Sequence, residues 1–109
     1  MKALVAILAL CLSACASRLP NDCVPQAIQM TEGLKGKGIT AKVLLITAPP
    51  MRHAVSVYLY PAGANRLWVW DATWASIRVR AYFDQPESVA RGWLAAIRKP
   101  PTLTSAEYL

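Results

Sequence analysis

Arg52-His53-Ala54-Val55-Ser56-Val57-Tyr58-Leu59-Tyr60 alternates residue by residue, and its reading decides how the rest of the chain is placed. Successive strand side chains point to opposite faces, so His53, Val55, Val57 and Leu59 share one face and Ala54, Ser56, Tyr58 and Tyr60 the other. Beyond it, Pro61-Ala62-Gly63-Ala64-Asn65 supplies turn residues, and residues 66–72 read as the returning strand. On that strand Leu67, Val69 and Asp71 lie on one face, Trp68 and Trp70 on the other. Directly opposed residues of a hairpin share a face. A turn over 61–63 pairs His53 with Asp71. A turn over 61–65 pairs Asp71 with Val55 and leaves His53 diagonal to it on the same face, whereas an even-length turn separates the two.

Going back along the chain, Pro49-Pro50 stops a strand predicted over residues 39–47, which is rich in aliphatic and β-branched residues. Before it, Val24, Ala27, Ile28, Thr31 and Leu34 follow the three-four spacing of an amphipathic helix over 23–35, with Cys23, Ala27, Met30 and Leu34 along its edge. Asp22 is a good N-cap, Pro25 suits a first turn, and Gly36-Lys37-Gly38 closes the helix. Going forward, residues 76–82 alternate as a fourth strand with Arg78 and Arg80 outward, and 87–97 carry a helical stripe of Val89, Trp93, Leu94 and Ile97. The fold class expected is α+β: a Cys-bearing helix on an antiparallel sheet of about four strands, with a C-terminal helix.

Short connections make neighbours antiparallel, so the direction of each element can be followed. Cys23, His53 and Asp71 then all fall at one end of the sheet. The apolar face carrying His53 and Asp71 is expected to lie under the Cys23 helix, and the aromatic row Tyr58, Tyr60, Trp68 and Trp70 to form a second core under the C-terminal helix. A thiol at a helix start gains thiolate character from the orphan N–H groups and the positive end of the helix dipole. Taken singly, Cys23 also reads as a small buried apolar residue, His53 as a satisfied strand-end polar group and Asp71 as a turn former. Together they compose a nucleophile, a base and an orienting carboxylate. Gln26 reads either as surface polarity or as a substrate contact.

The formal net charge is +6, and +5 once Lys2 is removed with the leader described below. The cations are scattered rather than run together. This speaks for anionic surfaces such as phospholipid headgroups or carboxylate-bearing cell-wall peptides, and against nucleic acid. Neither a metal-ligand motif nor a nucleotide-binding motif appears, so no cofactor and no metal is expected.

Met1-Lys2 and the apolar run after it form a signal peptide over 1–14, too short to span a bilayer. Leu12-Ser13-Ala14-Cys15 resembles the lipobox of bacterial lipoproteins, which implies lipidation at Cys15 and a mature chain anchored in the cell envelope. Ala16-Ser17 after it are compatible with the outer membrane, facing the periplasm. A Cys15–Cys23 disulfide after ordinary signal cleavage is the competing reading. Residues 15–21 then make a tether, 22–99 a single domain and 100–109 a loose C-terminal tail.

Asp22-Cys23, Ala27, Leu34, Gly38-Ile39-Thr40-Ala41, Val43, His53-Ala54-Val55 and Trp68-Val69-Trp70-Asp71 together resemble the core of the transglutaminase-like superfamily, especially its bacterial cysteine-proteinase branch, over about half the chain. The resemblance implies an α+β papain-like core. It also implies Cys23 as nucleophile, His53 as base and then acid, Asp71 as the group fixing the histidine tautomer, and amide acyl transfer through a thioester. Substrates would be envelope protein or peptidoglycan peptide. Asn21 and Val24 stand where many members have Gly and Trp, and Val55 replaces a frequent Trp. A noncatalytic envelope lipoprotein using the same fold as a binding module is the alternative. Hydrolysis, transamidation and the oligomeric state are not distinguished by these residues.

Overall fold

The computed structural model describes residues 23–98 and 102–109. The expected α+β class holds: among these residues stand two helices and one antiparallel five-stranded sheet. Helix α1 spans Cys23–Gly36, strand β1 Ala41–Ala48, β2 Met51–Leu59, β3 Leu67–Asp71 and β4 Ala75–Arg78. Helix α2 spans Pro86–Ala96, and β5 Ser105–Tyr108. The sheet order is β4-β3-β2-β1-β5. Every helix and strand read from the sequence is present, with its ends no more than four residues from those expected. Asp22, Cys15, the signal peptide and the tether lie outside the described residues.

The hairpin from β2 to β3 adopts the longer of the two turns that keep His53 and Asp71 on one face. Ser56 pairs with Trp70, Val57 with Val69 and Leu59 with Leu67, and the Tyr60 amide donates to the Arg66 carbonyl around residues 61–65. Asn65 takes a positive φ of 49° and Gly63 one of 91° to close this turn. Pro49 and Pro50 make the tight β1–β2 turn, with Ala48 paired to Met51.

Two expectations are corrected. The segment read as a loose tail contributes β5, which pairs with β1 from Thr47–Ser105 to Leu44–Tyr108 and makes the fifth strand. Its short polar pattern, exposed on one side and flanked by Pro100-Pro101, gave little strand signal; pairing with a neighbour edge is what orders it. The second correction concerns which helix covers which face. The large core contains Leu44, Ile46, Val55, Val57, Val69, Val79, Val89, Trp93 and Leu94, so the apolar face of β2 and β3 lies under α2. Helix α1 covers the opposite face, where Ala27 packs with Val43 and Ala54, and the Thr31 and Ser56 hydroxyls share a buried 2.7 Å hydrogen bond. The physical reason is matching. Helix α2 offers Val89, Ala90, Trp93 and Leu94, all fully buried, to a face of valines and leucines. Helix α1 buries Cys23, Gln26, Ala27 and Thr31, a small and partly polar stripe that suits Ala54 and Ser56. Ile28, expected in that stripe, is exposed.

The aromatic row follows from the same reversal. Tyr58, Trp68 and Trp70 are half-buried and Tyr60 is 50% exposed, on the α1 side of the sheet and beyond the reach of α2. They are not a core under the C-terminal helix.

Candidate active site

His53 stands near the start of β2 and Asp71 at the last position of β3. The β2–β3 pairing ends where β3 turns away at residues 72–74, so no strand borders His53 on that side. The imidazole turns into this notch and its Nε2 meets Asp71 Oδ2. Asp71 is 2% exposed. Its other oxygen, Oδ1, accepts from the backbone amides of Thr73 (2.6 Å) and Trp74 (3.0 Å). Each oxygen thus has its own partners: Oδ1 closes the turn and Oδ2 meets the histidine.

Burial pushes the Asp71 carboxyl up, but the His53 hydrogen bond and charge, with the Trp74 and Thr73 amides, outweigh it and hold the group below the ordinary value of 3.8. An ionised carboxylate only accepts, so His53 Nε2 is the donor and Nδ1 is the ring nitrogen with an accepting lone pair when the ring is neutral. The imidazole also lies flat against Trp93, with ring centroids 5.7 Å apart and planes at 6°, and Trp74 meets Trp93 edge-on at 5.9 Å. Ring rotation is blocked by a stacked indole on one side and a carboxylate at one end. The Trp93 Nε1 is buried with no hydrogen-bond partner among the described residues, and its indole face is what meets His53.

Cys23 occupies the first position of α1 and is 2% exposed. Its depth relative to His53 follows from the packing of α1 along β2. Thr31 touches Ser56 and Ala27 packs on Ala54; one further helical turn, about 6 Å, matches two strand residues and sets Cys23 level with Arg52 and His53. Val24 and His53 also border one groove of about 150 Å³ with Leu45, Thr47 and Arg52. The three residues share one end, as expected. His53 stacks on the helix that covers one face of the sheet, and Cys23 begins the helix that covers the other.

Two further side chains belong to the site and were not singled out for it. The sequence pattern gives Trp93 a place in the α2 stripe and gives Trp74 none. Their only signal was the placement of α2 over the His53 face, which depends on how two helices share one sheet. Among the described residues no group of His, Cys, Asp and Glu is placed to hold a metal ion, and no helix is long and apolar enough to cross a membrane. Comparison of the chain with protein-family models, with curated proteins and with solved structures gave no match.

Proposed function

We propose that this chain is an envelope lipoprotein with a Cys23-His53-Asp71 thiol site for amide acyl transfer, of the kind found in the transglutaminase-like superfamily. The observation that carries the reading is the orientation of the imidazole. Asp71 takes Nε2–H, Trp93 fixes the ring plane, and Nδ1 is left as the nitrogen to receive the thiol proton. In the forward step Nδ1 takes the Cys23 proton, the thiolate adds to an amide carbonyl, and the imidazolium returns the proton to the departing amine. A thioester remains. Water or an amine then adds to it with His53 as base, and the Cys23 thiol is released. The backbone N–H groups of the first turn of α1 serve as donors for the oxyanion in this reading. Lipidation at Cys15 holds the domain at a membrane, with protein or peptidoglycan peptide as substrate and no nucleic acid.

The burial of Cys23 favours the second reading, a noncatalytic binding module with a structural thiol. Alkylation by iodoacetamide at mildly acidic pH, located by peptide mapping, separates the two. An active site predicts labelling of Cys23 faster than a free thiol of pKa ~8.5 and a return to ordinary behaviour in His53→Ala. A structural thiol predicts slow labelling that does not respond to His53. The anchor is tested by Cys15→Ser, which should leave the protein unprocessed or move it to the soluble fraction.

A further inference from the structure

Below Cys23, Gln26, Met30 and Leu34 follow one another at helical spacing down the side of α1 that faces β3, and Lys37 stands one residue past its end. Trp70 stands opposite them, beside Ser56 in the ladder, and a cleft of about 250 Å³ runs between. Gln29 and Gly33 complete its lining. The cleft has an apolar floor of indole, thioether and isobutyl groups and two carboxamides. Among the described residues its one charged side chain is Lys37, at the end away from Cys23, and no carboxylate lines it. We infer that this cleft is the substrate subsite of the proposed acyl-transfer site, and that it takes an apolar side chain of a short peptide whose free carboxylate pairs with Lys37.

Size and charge both select this occupant. The volume falls just short of the range of about 300–1,000 Å³ typical of drug-sized ligand pockets, and it suits one side chain with its flanking backbone. Cys23 and Lys37 stand at the two ends of α1, an axial rise of about 21 Å, which an extended peptide covers in about six residues. A peptide with its reacting amide at Cys23 thus brings a carboxylate to Lys37 without leaving the helix. The inference rests on the proposed thiol chemistry for its direction, since Cys23 continues the same helical side one turn above Gln26.

Gly33 gives a direct test, because a Cβ built on it meets nothing within 4 Å and its backbone is helical. Fluorescein-labelled pentapeptides Gly-Gly-Xaa-Gly-Gly, with Xaa as Ala, Leu or Phe and with free or amidated C-termini, are titrated against the whole protein by anisotropy. The expected result is that Leu and Phe bind at least tenfold tighter than Ala and that amidation weakens binding at least fivefold. Gly33→Phe should abolish binding, and Lys37→Met should erase only the difference between acid and amide. Circular dichroism and the Cys23 alkylation rate should stay as in the parent for both variants. Equal binding of acid and amide, no preference among the three side chains, binding that survives Gly33→Phe, or no binding of any of the peptides would each overturn the subsite. An ordinary Cys23 alkylation rate alongside the expected peptide pattern would instead remove the acyl-transfer reading and keep the cleft as a peptide site.

Discussion

Val57 and Tyr58 are neighbours in β2, yet Val57 is fully buried beneath α2 while Tyr58 is half-buried on the side of α1. The same contrast runs through the sheet. On the α2 side the valines, leucines and Trp93 make a continuous core that also grips His53 and Asp71. On the α1 side a small cluster of Ala27, Val43 and Ala54, one hydroxyl pair and an open aromatic shelf leave a cleft. The α2 side therefore supplies most of the stability and immobilises His53, and the α1 side keeps an open cleft beside the helix that begins with Cys23.

The strongest way to break this comparison is to truncate equivalent large residues on the two sides. Trp93→Ala is expected to cost about 3–5 kcal/mol in urea unfolding, enough to unfold a marginal domain of this size. Met30→Ala, half-buried at the cleft, should cost less than a third of that. Equal losses would mean that the two faces share the core.

Glycine to alanine changes sharpen the contrast because the two helices should answer with opposite sign. At Gly92 in α2 a new Cβ would stand 2.5 Å from Val79 Cγ1, so the helix must lift or the valine shift, and a loss of about 1–3 kcal/mol is expected despite the better helix former. At Gly33 in α1 there is open space, and the same change should gain about 0.5–1 kcal/mol from reduced backbone freedom. Thermal melts of both variants check the signs.

Polar links distinguish the faces by pH. Asp71 is held below 3.8, so its contribution is present above that value and is lost as pH falls through the folded-state pKa. Asp71→Asn should flatten the acid limb of the stability curve at unchanged fold. Ser56→Ala, which leaves the Thr31 hydroxyl buried and unpaired, should cost about 1–3 kcal/mol at every pH, and Thr31→Val with Ser56→Ala together should recover most of it.

These contrasts also show where sequence reading succeeds and stops. Period-two alternation in β2 and β3 carried the His53–Asp71 pairing, because a hairpin register can be wrong only by whole residues and an odd turn keeps both on one face. The Cys23 end was legible from strand directions alone. Which helix takes which face was not, because α1 and α2 both present apolar stripes and only the relative area of the two faces decides between them. Stacking of Trp93 on His53 was invisible for the same reason. The β5 pairing was hidden because Ser105, Ala106, Glu107 and Tyr108 have no strand pattern of their own and gain order from the open edge of β1.

Tyr108 turns that last pairing into an optical reporter. Its hydroxyl donates to the Phe83 carbonyl, its ring lies against Phe83 and the Lys42 ammonium, and burial, with Asp84 nearby, pushes the phenol up to about 12. The unfolded phenol ionises near 10.0, so this residue's stabilisation is whole below that pH and drains away as the solution rises toward about 12. An alkaline absorbance titration should therefore show one tyrosinate appearing late, and that late step should vanish in Tyr108→Phe. Loss of the late step in any other variant would mark the release of β5 from β1, read from an intrinsic chromophore with no label attached.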